Sequence, residues 1–223
     1  MTLCISYVDL CIDNSDESIT DLVVENQVLF SKILADINKQ INGITGDIIL
    51  SENDKIINFS RKAEVIWNPI IIDINSQKIV KKLYQEIQEI SDEFEDDISN
   101  VNSKIVYLFD VLSQKLQYNI IYEYNMDISS LLKAYKVQFE SDYDSLAESL
   151  LDYVKTLHQL CGINVFFTVN IKDYFDVSEI NEIYKFCLYE KINLINISSL
   201  EKDNYIYEKK YIIDQDLCII NTS

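Results

Sequence analysis

Residues 161–199 constrain the fold most strongly, because they predict a complete β-α-β unit. Residues 163–170 (INVFFTVN) form a short, almost continuous apolar run, which is typical of a strand buried in a parallel sheet. Asp176 and Glu179 have the spacing of an N-terminal capping box, and apolar residues then repeat at helical spacing. Residues 192–197 (INLINI) supply the second strand. We therefore predict an α/β fold with a right-handed crossover between parallel strands.

Residues 76–117 carry a second pattern, in which apolar residues are spaced by threes and fours without a proline or a glycine. At ~1.5 Å per residue this pattern predicts a helix on the order of 60 Å long, which is too long for the core of a small domain. We expect a bend within residues 97–103, where Asn100 and Asn102 weaken the helix. Residues 142–160 repeat the helical pattern and are predicted to return along the long helix.

These patterns predict a head with a helical arm inserted into it. The head would comprise residues 1–75 and 161–223, and the arm residues 76–160. The other elements predicted for the head are a hairpin that starts in residues 3–10 with a polar turn at 13–18, strands at 19–24, 48–50, 63–67 and 216–220, and a helix over 25–41.

The charge balance limits how the chain can meet nucleic acid. It has 19 basic and 37 acidic residues and a net charge of −18, which opposes long-range attraction to a polyanion. Arg61 is the only arginine, so planar side chains for reading guanine edges or binding phosphates bidentately are almost missing. Any phosphate-binding surface must therefore consist of lysine. Lys78, Lys81 and Lys82 share a helix face that fits either phosphate contact or pairing with acidic residues one turn on.

The motifs give no support to an enzyme. With three glycines in the chain, neither G-x-G-x-x-G nor G-x-x-x-x-G-K-[ST] occurs, and residues 171–175, where a phosphate loop would lie, are bulky. The single histidine, His158, lies inside a predicted helix, where we expect a structural or surface role. Paired carboxylates are expected by chance in so acidic a chain. We therefore expect no enzymatic activity.

The cysteines and the hydropathy indicate a soluble, cytoplasmic protein without a membrane partner. The five cysteines include no C-x-x-C pair, and their odd number predicts reduced thiols. Cys4 and Cys11 lie in apolar surroundings, and we expect packing roles for them and for the other three. No segment approaches the ~20 apolar residues that are needed to span a bilayer.

Acidic and aromatic residues cluster in the predicted arm. Seven acidic residues and no basic one lie within residues 86–97, and a solvated helix face is the simplest interpretation. Glu123 and Asp127 carry the oxygen ligands that calcium uses, but two carboxylates are fewer than the six to eight oxygens of a calcium site. Four tyrosines nearby predict a packed aromatic joint rather than a base-stacking platform; they are Tyr118, Tyr122, Tyr124 and Tyr135.

Three stretches occur in an order that resembles a known family. They are VVENQVLFSKIL at 23–34, SSLLKAYKVQFE at 129–140, and the final course from NVFFTVNIKDYF through INLINISS to YIIDQDLCII. Together with the inserted arm, they make the chain similar to the Csn-two family, the ring-forming adaptation protein of type II-A CRISPR systems. The resemblance implies a mostly parallel head like that of nucleotide-binding proteins but without a phosphate loop, a long bent helical arm and a homotetrameric ring.

The resemblance also implies a function. Such a ring would hold double-stranded DNA by its ends through a basic inner wall and assist spacer acquisition without cutting DNA, beside other CRISPR adaptation proteins. Calcium would stabilise the assembly. Glu123 and Asp127 match the family's acidic calcium stretch, whereas Asn125 replaces one carboxylate of that stretch.

The DNA contacts that we predict are all lysines. Lys133 and Lys136 match basic positions of the family, and Lys32 matches the lysine of its F-S-K element. Lys81 and Lys82 are added from the helix face described above. The residues leave a second interpretation open, in which the arm is a scaffold for partner proteins and never touches DNA. A third, a divergent nucleotide hydrolase, is opposed by the missing glycines.

Overall fold

The structure is a computed structural model that describes residues 1–13, 19–53 and 55–222. Within these residues, no helix combines the length and the apolar character that a membrane span requires. The chain divides into two compact units. They are a sheet unit, made of Met1–Asp73 and Asp142–Ser223, and a helical unit, Ile74–Ser141.

The strands all lie in the sheet unit, and helices occur in both units. The strands are β1 (Thr2–Ile5), β2 (Leu10–Asp13), β3 (Ile19–Val24), β4 (Ile48–Glu52), β5 (Lys55–Ile56), β6 (Ala63–Ile66), β7 (Val165–Val169), β8 (Asn193–Ser198), β9 (Glu208–Ile213) and β10 (Ile219–Thr222). The helices are α1 (Gln27–Ile41), α2 (Phe59–Lys62), α3 (Gln77–Ser91), α4 (Glu95–Ser113), α5 (Ile128–Ala134), α6 (Leu146–Cys161) and α7 (Val177–Tyr189).

The strands form two sheets. The larger has the order β10-β9-β3-β8-β7-β6, in which β10 is antiparallel to β9 and the other neighbours are parallel. The smaller has the order β2-β1-β4-β5 and is antiparallel throughout. The predicted α/β class is confirmed. A mostly parallel head is not, because one sheet is mixed and the other is a separate antiparallel layer.

The predicted β-α-β unit is present as β7, α7 and β8. The two strands are parallel neighbours, with Val165 opposite Asn193. The side chain of Asp176 accepts a hydrogen bond from the backbone N–H of Glu179, and the side chain of Glu179 accepts one from the backbone N–H of Asp176, both at 2.9 Å. This reciprocal pair is the capping box that the sequence predicts.

The large sheet is buried on both faces. One face packs against α1 and the small sheet, in a core that includes Leu22, Ile33 and Phe167. Successive side chains of a strand point to opposite faces, so Phe166 lies on the other face of the sheet, which α7 covers with buried side chains such as Tyr184. Two-sided burial explains why β7 is almost continuously apolar in sequence.

The sequence pattern does not predict β9, because this strand begins with Glu208 and two lysines. Parallel pairing with β3 nevertheless buries Lys210 and Ile213. The strand predicted at 216–220 corresponds to β10, which begins three residues later. Most of the predicted polar turn, residues 14–18, lies outside the described residues.

The prediction of reduced thiols is wrong for Cys4 and Cys11, which form a disulfide between β1 and β2. The two residues are direct antiparallel partners with Cα atoms 4.1 Å apart, and this cross-strand proximity, which spacing along the chain does not reveal, brings the sulfur atoms together. Burial raises the pKa of the Cys187 thiol to about 12, which agrees with a packing role. Cys161 is half-buried and Cys218 is exposed.

The helical unit contains α3, α4 and α5. The predicted continuous helix over 76–117 is divided into α3 and α4 by a 3-10 turn at Asp92–Phe94. This break precedes the predicted bend at 97–103 and lies within the acidic run. Consecutive carboxylates repel one another inside a helix but are favourable at a helix N-terminus, and the first turn of α4 holds three of them.

The returning helix of the sequence prediction is α6. The predicted arm extended to residue 160, whereas the helical unit ends at Ser141 and α6 lies in the sheet unit. There α6 contacts α7 and buries Leu150, Val154 and Leu157. Its apolar face is therefore used in the core of the sheet unit.

Candidate nucleic-acid interface

The helical unit contains a groove between α3, α5 and the segment that follows α5. Its volume is about 790 Å³. Lys81 of α3, Lys133 of α5 and Lys136 all line it, so three of the five lysines predicted to contact DNA converge on one concave surface. We call this surface the lysine groove. Its other lining residues are Asn75, Gln77, Val80, Tyr84, Gln85, Gln88, Ser129, Val137 and Gln138.

Hydrogen bonds hold the two sides of the lysine groove together. Asn75 donates its side-chain amide to the Phe139 carbonyl at 3.1 Å and accepts the Phe139 N–H at 2.9 Å. The Tyr84 hydroxyl lies 3.2 Å from the Leu132 carbonyl and 3.0 Å from the Val137 carbonyl, and it can donate to either. These contacts join α3 to α5 and to the chain after it. Hydrogen bonds from side chains to backbone atoms therefore fix the relative positions of the segments that carry the lysines.

Lys136 occupies a backbone position that normally suits glycine. Its φ is +52°, and it follows the C-cap Tyr135 of α5. The Lys136 N–H donates to the Lys133 carbonyl at 3.1 Å, and the Val137 N–H donates to the Leu132 carbonyl at 2.9 Å. This is a Schellman motif with lysine at C′, where a side chain costs about 1 kcal/mol relative to glycine.

Replacing Lys136 by glycine should therefore stabilise the helical unit while removing a charge from the groove. We expect a gain of about 0.5–1 kcal/mol in the free energy of unfolding, since glycine relieves the left-handed strain but gains entropy in the unfolded chain. Urea denaturation followed by circular dichroism measures it. A loss of stability would mean that the Lys136 ammonium makes a stabilising contact in the free protein.

The lysine groove differs electrostatically from the rest of the chain. None of its lining residues is acidic, although the chain carries 37 acidic residues. Lys81, Lys133 and Lys136 are exposed, and within the described residues none of them forms a salt bridge. Their ammonium groups are thus available to an external anion, and phosphate oxygens are suitable acceptors.

A comparison with protein families identifies the chain. The model of the family described as CRISPR-associated protein (Cas_Csn2) matches residues 40–217, which is well over half of the 223 residues. The chain belongs to the Cas_Csn2 family. The resemblance to the Csn-two family is thereby confirmed, and membership implies a role in CRISPR adaptation. No curated protein matches the chain. The whole lysine groove lies within the residues that match the Cas_Csn2 model.

The other two predicted DNA lysines of this Cas_Csn2 protein lie elsewhere. Lys82 is exposed on α3 but does not line the lysine groove. Lys32 lies on α1 in the sheet unit, outside the residues that match the family model. Its ammonium is 3.6 Å from the centroid of the Tyr7 ring, a cation–π contact that gives this lysine a local role.

The predicted calcium ligands are Glu123, which lies before α5, and Asp127, which begins it. Glu123 is exposed, and Asp127 is the N-cap of α5, where its carboxylate accepts the Ser130 N–H at 2.8 Å. Hydrogen bonds from Ser130, with a smaller contribution from Lys133, hold the pKa of Asp127 below its usual value. The described residues contain no group of three or more histidines, cysteines or acids arranged for a metal ion. Two carboxylates do not supply six to eight oxygens, so calcium stays a prediction and has no part in the DNA contact proposed below.

The aromatic joint is smaller than predicted. Tyr122 packs against Phe109 and Tyr124, with ring centroids 5.3 and 5.4 Å away. Its hydroxyl donates to Asp110, which raises the pKa of Tyr122 to about 12. Tyr118 and Tyr135 are exposed and are absent from the ring pairs found among the described residues.

The sequence predictions missed the neutral residues of the lysine groove. Gln85 and Gln88 follow Lys81 by four and seven residues, so helical periodicity alone places all three on one face of α3. That signal was present in the sequence. The two anchors, Asn75 and Tyr84, carry no comparable signal, because their partners are backbone carbonyls and a backbone amide that lie 48 to 64 residues away.

The sheet unit fills the place where a phosphate loop would lie with internal charges. Lys172, in the turn after β7, places its ammonium 2.8 Å from Asp21 Oδ2 and 2.7 Å from Glu208 Oε1. These side chains are almost completely buried. Asn196 donates to the other Asp21 oxygen at 2.7 Å. We call Lys172, Asp21, Glu208 and Asn196 the buried charge cluster. Its lysine donates to both carboxylates and to the Asp203 carbonyl, at 3.2 Å.

Proposed function

We propose that the helical unit binds the sugar-phosphate backbone of double-stranded DNA through the lysine groove, and that the protein acts in spacer acquisition without catalysis. The observation that carries this proposal is the convergence of Lys81, Lys133 and Lys136 on a surface whose lining has no carboxylate. Lysine acts as a point charge and contacts phosphate without reading base sequence. A protein that handles spacers of any sequence needs this kind of contact.

The neutral lining suits the same ligand. Gln85, Gln88 and Gln138 can donate to phosphate and sugar oxygens without adding charge. Because the net charge of the chain is −18, each repulsive carboxylate near the DNA would weaken the contact, and the groove lining excludes them. Binding should therefore be local, sequence-independent and strongly dependent on salt.

Assembly into a homotetrameric ring is part of the proposal. It is supported by α4, which has no buried residue and exposes Val101, Leu108 and Leu112 on its surface. An apolar helix face of this kind is favourable when another chain covers it. In a closed ring, several lysine grooves would act on one duplex, and their combined effective concentration would offset the repulsion from the acidic surface.

A comparison of linear with closed circular DNA tests the ring and the preference for ends. We expect gel-shift binding to a linear duplex and at least a tenfold weaker binding to a closed circle of the same sequence and length, because a closed ring of protein must thread onto an end. Nicking the circle is the control, since it relaxes the DNA without creating an end. Equal binding to linear and closed DNA would contradict encirclement.

A protein scaffold without DNA contact is the second candidate. The exposed apolar face of α4 favours it, because this face fits another adaptation protein as well as a second copy of the chain. The two candidates differ in what the lysine groove does. Under the scaffold function, charge reversal in the groove leaves assembly unchanged and there is no DNA binding to lose.

A further inference from the structure

A second basic pocket lies in the sheet unit, at the amino-terminal ends of three adjacent strands. β6, β7 and β8 are neighbours, and Ala63 pairs with Val165, which pairs with Asn193. The segments that precede these strands therefore converge, although they are far apart in sequence. They enclose a pocket of about 570 Å³.

This pocket collects rare side chains. Its lining includes Arg61, the only arginine of the chain, and His158, the only histidine, together with Lys62 and Lys191. We call this cavity, with these four basic residues in its lining, the end pocket. The four residues come from α2, α6 and the turn between α7 and β8, so helical periodicity does not account for their proximity.

The turn between α6 and β7 positions two of the four side chains. Lys62 donates its ammonium to the Gly162 carbonyl at 3.2 Å. Nδ1 of His158 lies 2.8 Å from the Ile163 carbonyl, which can only accept, so Nδ1 carries the proton of this hydrogen bond. The Nε2 atom of His158 is then left for a ligand. Both groups are thus held in place before any ligand binds.

Lys191 is held by its backbone. Its φ is +57°, its N–H donates to the Leu188 carbonyl at 3.2 Å, and the Ile192 N–H donates to the Cys187 carbonyl at 2.7 Å. This is the same Schellman arrangement that places Lys136 in the lysine groove, again with lysine where glycine is favoured.

The pocket also contains two carboxylates, Glu52 and Glu190. Within the described residues, neither is in a salt bridge with Arg61 or Lys191. The basic groups are therefore not neutralised internally. A ligand that carries both a phosphate and hydroxyl or amino groups can bind the basic side chains and the carboxylates at once. Its phosphate accepts hydrogen bonds from the basic side chains, and its hydroxyl or amino groups donate to the carboxylates.

We propose that the end pocket binds a phosphate monoester of nucleotide size. Arg61 binds the phosphate bidentately, and Lys62 and Lys191 add single contacts. The source is either a free nucleotide or the terminal phosphate of a DNA strand, which present the same group. The residues are separate from those of the lysine groove, so the two binding sites can be tested independently.

Calorimetric titration of the full chain with AMP, with adenosine as the ligand that lacks phosphate, tests this site. We expect AMP to bind and adenosine not to bind, and Arg61→Gln to weaken AMP binding at least about tenfold, since charge-assisted contacts are lost. Lys185→Gln is the matched control, because Lys185 is exposed on α7 and lies outside the pocket lining. It should leave AMP binding unchanged.

Short duplexes with 5′-phosphate or 5′-hydroxyl ends separate the two sources. The site is assigned to DNA ends if the unsubstituted protein does not bind AMP but prefers 5′-phosphate over 5′-hydroxyl duplexes, and if Arg61→Gln abolishes that preference. It is assigned to a free nucleotide if the unsubstituted protein binds AMP and does not distinguish the two duplex ends. The inference is overturned if the protein does not bind AMP and a 5′-phosphate does not strengthen duplex binding. It is also overturned if Arg61→Gln and Lys185→Gln weaken the binding of the phosphate ligand equally. Lys133→Gln should not change AMP binding. The proposal for the end pocket can therefore fail while the proposal that the lysine groove binds DNA holds, and the reverse.

Discussion

Replacing Lys172 by methionine is expected to destabilise the sheet unit by about 3–5 kcal/mol. The substitution keeps a long side chain but removes the ammonium that pairs with the buried carboxylates of Asp21 and Glu208. Removing one partner of a buried ion pair has this effect, because the remaining buried charge loses its ammonium partner and keeps only neutral hydrogen-bond donors such as Asn196 and Tyr184. Urea denaturation, followed by circular dichroism, measures the change in the free energy of unfolding.

The matched control is Lys202→Met. Lys202 pairs with Asp173 at a partly exposed position, so its loss should reduce the free energy of unfolding by at most about 1 kcal/mol. Combining Lys172→Met with Glu208→Gln should recover part of the loss, because one unpaired carboxylate becomes a neutral amide. If Lys172→Met and Lys202→Met were equally mild, the buried charge cluster would not be a main support of the sheet unit.

Reversing the charge of both Lys133 and Lys136 to glutamate is expected to weaken binding to linear duplex DNA by about 100-fold. Each lysine is expected to make a charge-assisted phosphate contact worth about 1.5 kcal/mol, and 1.4 kcal/mol corresponds to a factor of ten. Gel shift or fluorescence anisotropy at one fixed salt concentration measures the affinity. Light scattering on the same variant should show an unchanged oligomer, because no assembly contact is assigned to the groove.

A double reversal elsewhere in the helical unit controls for net charge. Lys104 and Lys115 are exposed and lie outside the lysine groove. Lys104→Glu with Lys115→Glu changes the net charge by the same amount and should weaken DNA binding by less than about threefold, since the charges lie away from the contact and are screened by salt. Equal losses of DNA affinity in both double variants would show that net charge, and not contact with the lysine groove, determines binding.

The elements that the sequence predicts correctly are those with a local cause. The β-α-β unit is visible because both strands are rich in branched or aromatic apolar residues and the capping box at Asp176 and Glu179 marks the helix start. β9 is missed because the burial of Lys210 depends on its place beside β3 and on its hydrogen bonds to Glu201 and Lys202 in the segment that precedes β9. The Cys4–Cys11 disulfide depends likewise on strand pairing, which composition does not indicate.

The candidate site shows the same division. The face of α3 that carries Lys81 follows from helical spacing, and Lys133 and Lys136 were indicated by the family resemblance. Their convergence in one groove depends on Asn75 and Tyr84, which bind backbone atoms far along the chain. No pattern within a single element contains that information, so the groove is found only in the folded unit.

The salt dependence of DNA binding tests the phosphate contact of the lysine groove most directly. The logarithm of the binding constant falls linearly with the logarithm of salt concentration, with a slope of about −0.9 for each neutralised phosphate. If Lys133 and Lys136 each contact a phosphate, Lys133→Gln with Lys136→Asn should reduce the magnitude of this slope by about 1.8. Asparagine tolerates the left-handed backbone at 136, so the fold is kept. An unchanged slope would contradict phosphate contact by the lysine groove.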